Sequence, residues 1–207
     1  MHSERSLLKY DREEHLKSKL NAYLVQQFNL PKKDYYACLD AKGIIGLKSV
    51  LADINNILTL KVTLAFADWL VQKYNLDVEA EATLKSIVMD SKPNANGYDI
   101  WLGYPVSFVG EVKCNIPINT GFKYGSQQRM GIEKDIKGLL NGKLKASIAS
   151  EKCPKFLAFL DLPEIRKANE HLLKVSSICR ENLVFVESDS DISRLDIVHG
   201  VYVVQNV

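Results

Sequence analysis

Residues 155–160, Lys-Phe-Leu-Ala-Phe-Leu, form a near-continuous apolar run of strand length. A strand apolar on both sides fits the centre of a sheet covered on both faces, as in α/β proteins. The stretches around it carry helical spacing instead. Residues 47–75 read as mostly helical, with Leu60, Leu64, Ala67, Leu70 and Val71 as the buried stripe and a break expected near Asn55-Asn56. Residues 127–141 repeat Met130, Ile136, Leu139 and Leu140, and Pro163 opens a helix over 163–180 at a first-turn position that proline favours. Two terminal strands are expected near 182–187 and 200–206.

Upstream, residues 3–28 predict an amphipathic helix, with Leu7, Leu8, Leu16, Leu20, Tyr23, Leu24 and Phe28 recurring among charges, ended by Asn29-Leu30-Pro31. Tyr35, Tyr36 and Leu39 read as packing residues of a turn. At 207 residues the chain suits one domain, 1–207, with a core large enough to be stable. The charged N-terminus lacks a signal-peptide core, and no apolar run approaches the roughly 20 residues of a membrane span. Four scattered cysteines without a CxxC pair suit reduced thiols. The expectation is a cytoplasmic protein with no membrane partner.

The chemistry concentrates in residues 97–115, GYDIWLGYPVSFVGEVKCN, which read as two short strands. Side chains two apart on a strand share a face, so Glu111 and Lys113 project together while Val112 and Cys114 point away. If the strands pair as a hairpin, Asp99 approaches Glu111 across the ladder. Two carboxylates and an ammonium at one strand edge suit a hard divalent cation and a polarised water, the equipment of phosphodiester hydrolysis.

An acid-x-Lys triplet alone decides nothing, because this chain has four. Asp90/Lys92 runs into Pro93 and an Asn/Gly cluster, a loop over 91–97. Asp135/Lys137 falls in a helix, where residues two apart do not share a face. Asp40/Lys42 has no second acid on a neighbouring strand. Only Glu111/Lys113 closes a β-rich run preceded by a strand with its own acid.

Asp99, eleven residues, then Glu111-Val112-Lys113 resembles the signature of the PD-(D/E)XK nuclease superfamily, with Tyr98 where the name-giving proline would stand. The resemblance covers residues 59–162 and implies an α-β-β-β-α-β core: a helix at 59–74, strands around 78–89, 98–103 and 106–114, a helix near 127–141 and a strand at 156–161. The fold class it implies is α/β, restriction-endonuclease-like, a central mixed sheet flanked by helices, with an N-terminal helical extension (1–45) and a C-terminal αββ extension (163–207). It further implies catalytic roles for Asp99, Glu111 and Lys113. Mg²⁺, with Mn²⁺ as substitute, would be held by Asp99, Glu111 and the Val112 carbonyl. An additional acid on the preceding helix points to Asp68, with Glu79 and Glu81 next.

Net charge is only +2, yet between Lys113 and Lys155 nine basic residues face three acids. That basic segment suits a polyanion, since phosphate contacts carry much of nucleic-acid affinity. Lys123, Gln127, Gln128, Arg129 and Lys134, around the start of the 127–141 helix, are the candidates to meet phosphates. The expected protein is a Mg²⁺-dependent DNA endonuclease of the type II restriction kind, a homodimer acting on double-stranded DNA. A structure-specific resolvase or repair nuclease is the nearest rival, and a non-catalytic nucleic-acid-binding domain of the same fold the rival from another class. Four scattered histidines, none beside a nucleophile, disfavour a small-molecule enzyme.

Overall fold

The computed structural model describes residues 10–91, 97–118, 120–143, 146 and 148–204. The expected helix start at 3–9, most of the expected loop at 91–97, Lys145 of the basic segment and the strand end at 205–206 lie outside them. The chain divides into two compact units, Met1–Asp53 and Ile54–Val207.

In the first unit, α1 (Arg12–Phe28) begins where the Asp11 carboxylate accepts the backbone N–H groups of Glu13 and Glu14, and it ends at Asn29 in the left-handed region. The Asn21 side chain then organises the following turn. Its oxygen accepts from the Tyr35 and Tyr36 amides, at 2.9 and 3.2 Å, and its amide donates to Asp34 at 2.9 Å. No residue of α1 is buried.

Helix α2 (Ala41–Tyr74) is unbroken at Asn55-Asn56. Both asparagines are exposed, and the Asn55 carbonyl additionally accepts the Thr59 hydroxyl at 3.0 Å. The sequence has no uninterrupted apolar run of span length. By length and composition, however, α2 is long and apolar enough to cross a membrane, even with charged residues such as Asp53 and Lys61 along it. Its buried face centres on Val62, Thr63, Phe66, Ala67 and Leu70, which leaves Leu60, Leu64 and Val71 at the margin.

Residues 78–89, expected as a strand, form helix α3 (Val78–Asp90). Asp77 caps it by accepting the Ala80 amide at 2.8 Å, and Ala80, Leu84 and Val88, four apart, make its buried stripe. On a strand Ala82 and Ser86 would share that face, whereas both are exposed here, as the turn of a helix requires.

The sheet of the second unit therefore starts at the acid-bearing hairpin. Its strands are β1 (Ile100–Leu102), β2 (Phe108–Lys113), β3 (Lys155–Leu160), β4 (Leu183–Phe185) and β5 (Val198–Val203), in the order β1-β2-β3-β5-β4. Only the β1–β2 pair is antiparallel. Side-chain alternation divides the core in two. Phe108, Val112, Phe156, Ala158 and Val201 pack with α2 and α3 on one face. Val109, Leu157, Phe159 and Val198 pack on the other with α4 (Ser126–Asn141), α5 (Pro163–Val175) and α6 (Ser177–Asn182). β3 is thus the doubly covered strand that its composition predicted.

The helix expected over 163–180 is two. Ser176 leaves the helical region and its hydroxyl accepts the Cys179 amide at 3.2 Å, which starts α6. Strands β4 and β5, from the expected C-terminal extension, hydrogen-bond into the same sheet as the rest. The molecule's second unit is α/β, with a five-stranded mixed sheet flanked by helices.

Candidate functional site

The β1–β2 register pairs Ile100 with Gly110, so one step further sets Asp99 opposite Glu111. Asp99 is fastened there. Its Oδ2 accepts the backbone N–H of Val112 at 2.8 Å. The N–H and C=O of one strand residue face the same neighbour, so the Val112 carbonyl is directed to this side as well. Its side chain turns into the core beneath. Glu111 is only 5% exposed. Lys113 stands two residues on and pairs with Asp135 of α4. Cys114 packs toward the opposite, α2-covered face, as alternation requires.

Asp99, Glu111, Val112 and Lys113 line a common cleft of about 860 Å³, with Asp135 and the α2 residues Asn55 and Thr59. Burial pushes the Asp99 carboxyl above the usual range, opposed by the Val112 N–H and then by the charges of Lys143 and Lys113. Glu111 is pushed up to about 8, first by burial and then by the neighbouring Asp99 charge, against the pull of Lys143. Two neighbouring acids whose ionised forms are disfavoured by burial and, at Glu111, by the other's charge are a place where a cation lowers the energy.

Two members of this site escaped the sequence reading. Asp135 follows Ile132 by three residues and precedes Ile136 on the buried stripe of α4, so an acid there was a legible anomaly. Lys143 carried no such signal. It follows Gly142, whose φ of 82° turns the chain out of α4. Its Nζ donates to Glu111 Oε1 at 2.5 Å and to the Gly97 carbonyl at 2.8 Å.

The other expected residues divide. Asp68 and Glu81 are bridged by Lys85, at 2.9 and 2.7 Å, and neither they nor Glu79 lines the cleft. α2 presents amides and hydroxyls there instead of an additional acid. Lys123, Gln127 and Lys134 are exposed. Gln128 is committed to structure: its oxygen accepts the Gly125 amide at 2.9 Å and its nitrogen donates to the Ile116 carbonyl at 2.8 Å. Arg129 stands 3.8 Å from Glu133 on its own helix. Between β2 and α4, the Ile116 carbonyl is held by Gln128, and the Tyr124 hydroxyl donates to Asn169 at 3.1 Å.

All four cysteines are free. Among the described residues, no group of three or more His, Cys, Asp and Glu side chains is arranged to hold a metal ion. A site for Mg²⁺ would rest on two carboxylates and one carbonyl. Mg²⁺ suits that set, because it keeps several waters and is commonly bound through one or two carboxylates. In this structure the Lys143 ammonium is the cation paired with Glu111.

Compared with family models, with curated proteins and with solved structures, the chain matches none of them.

Proposed function

We propose that this chain is a Mg²⁺-dependent DNA endonuclease of the PD-(D/E)XK type with a restriction-endonuclease-like arrangement, cutting duplex DNA as a type II restriction enzyme does. One observation carries the reading: Asp99, pinned to the Val112 amide, shares a cleft with Glu111 and Lys113 at the end of a strand pair. Packing alone does not ask for that trio at a strand edge. The order β1-β2-α4-β3 supports it as the β-β-α-β part of the expected core, with helix α3 standing where the first strand was expected.

Bound by Asp99, Glu111 and the Val112 carbonyl, Mg²⁺ would supply a Lewis acid for a phosphate oxygen and a water acidic enough to attack. The chain's residues do the rest. Asp99 and Glu111 bring the negative charge that holds the cation. Lys113, steadied by Asp135, directs its ammonium into the cleft, where it orients the attacking water and offsets charge growing on the pentavalent phosphorus. Lys123, Gln127 and Lys134 lie exposed around the first half of α4 for the phosphate backbone. Each site cuts one strand, so a two-fold homodimer fits duplex cleavage.

The test is digestion of long unmethylated DNA with Mg²⁺, with Asp99→Ala as control. Discrete bands, lost in the variant, support sequence-specific cutting. Cleavage confined to branched DNA selects a resolvase or repair nuclease. No cleavage of any DNA or RNA selects a non-catalytic binding domain.

A further inference from the structure

Resting on the metal-site reading above, we propose that Lys143 is a resident placeholder cation: its ammonium occupies the Glu111 carboxylate until Mg²⁺ displaces it, so metal loading is a cation exchange. The two lysines of the site are engaged differently. Lys113 pairs with Asp135, outside the carboxylate pair. Lys143 instead sits directly on the Glu111 carboxylate proposed as a metal ligand, 2.5 Å from its Oε1.

The residues next to Asp99 hold it in place. The Gly97 carbonyl accepts its second hydrogen bond at 2.8 Å, and the Tyr98 ring lies beneath the ammonium, 5.4 Å from ring centre to Nζ. A carbonyl, a carboxylate and an aromatic face together make a built seat for one positive charge. An ammonium and a divalent cation on one carboxylate repel each other, so a metal gains by displacing the lysine. Mg²⁺ therefore binds only the fraction of molecules whose Lys143 has swung out, and its apparent affinity falls by that fraction. Lys143 acts as a positioning residue that sets the metal requirement, distinct from the lysine assigned to the chemistry.

The experiment is calorimetric titration of the full chain with Mg²⁺, without DNA, for the wild type, Lys143→Met and each combined with Asp99→Ala. Lys143→Met is expected to bind Mg²⁺ about tenfold tighter or better. Equal or weaker binding overturns the placeholder. If Asp99→Ala abolishes binding while Lys143→Met changes nothing, the placeholder alone falls. If Asp99→Ala leaves binding intact in both backgrounds, the metal-site reading falls with it. Wild-type protein gives an independent reading that needs no folded variant. Mg²⁺ must raise the rate of reductive methylation of Lys143, read by peptide mass spectrometry, and leave exposed Lys134 unchanged. A constant Lys143 rate overturns the idea.

Discussion

Asp99 and Val112 are joined by a 2.8 Å hydrogen bond from the Val112 amide to a carboxylate oxygen. This bond fastens the acid at the start of β1 to the strand that carries Glu111 and Lys113.

Asp99→Asn keeps an oxygen for the Val112 amide and removes one charge from a crowded cleft. Cleavage should fall by roughly 10²–10³, the scale of losing one electrostatic contact to a transition state. The melting temperature at pH 8 should hold or rise, since Glu111 no longer faces a second anion. Plasmid digestion and thermal melts measure both. Full activity removes Asp99 from the proposed chemistry.

Glu111 imposes a pH dependence on stability. Its carboxyl titrates near 4.5 when unperturbed and near 8 in the folded protein, so the native state holds the proton more tightly. The resulting stabilisation is complete below about pH 4.5 and disappears as pH rises toward 8, a loss on the order of a few kcal/mol. Urea unfolding at pH 5, 6.5 and 8 should show the decline, and Glu111→Gln should flatten it. Parallel slopes in the two proteins would mean that the Glu111 carboxyl is ordinary.

Gly110 lies under the site with no room for a side chain. An added Cβ would stand 2.8 Å from a Phe66 ring carbon and 2.9 Å from an Ile100 methyl. Gly110→Ala should cost about 1–3 kcal/mol, the usual penalty of overpacking, and lower activity by shifting β2. Gly131→Ala on α4 meets nothing within 4 Å and should stabilise by about 0.5–1 kcal/mol. Equilibrium urea unfolding compares the pair.

Ser176 joins two elements through one hydroxyl, which accepts the Cys179 amide and donates to Glu133 of α4 at 2.7 Å. Ser176→Ala should cost about 1–2 kcal/mol, the range of a lost helix cap with a freed partner. Chemical denaturation tests it. A neutral substitution would mean that water replaces both bonds without loss.

Much of this molecule was legible in residues 97–115 and 155–160. Strand alternation set Glu111 and Lys113 on one side with Val112 on the other, and the apolar run of β3 announced a doubly covered strand. Helix α3 was legible too, through the Asp77 cap and through Ala82 and Ser86, small or polar residues that a strand would have set on the same face as Leu84 and Val88. The expectation of a strand there came from the element order of the resemblance, against that local pattern. The break at Ser176 was hidden because Ser-Ser reads as a weak interruption until its hydroxyl finds the Cys179 amide and Glu133.

The sequence by itself determined which side chains share a face, because periods of two and of 3.6 residues are properties of the backbone alone. The tertiary structure alone decided which faces meet. Lys143 reaches Glu111 across 32 residues, and Asp135 reaches Lys113 from another element, because α4 packs against β2 and the chain turns back at Gly142. The electrostatics of the cleft follow from those meetings. Burial, which raises both acids, is a property of the assembled core and of no single stretch of residues.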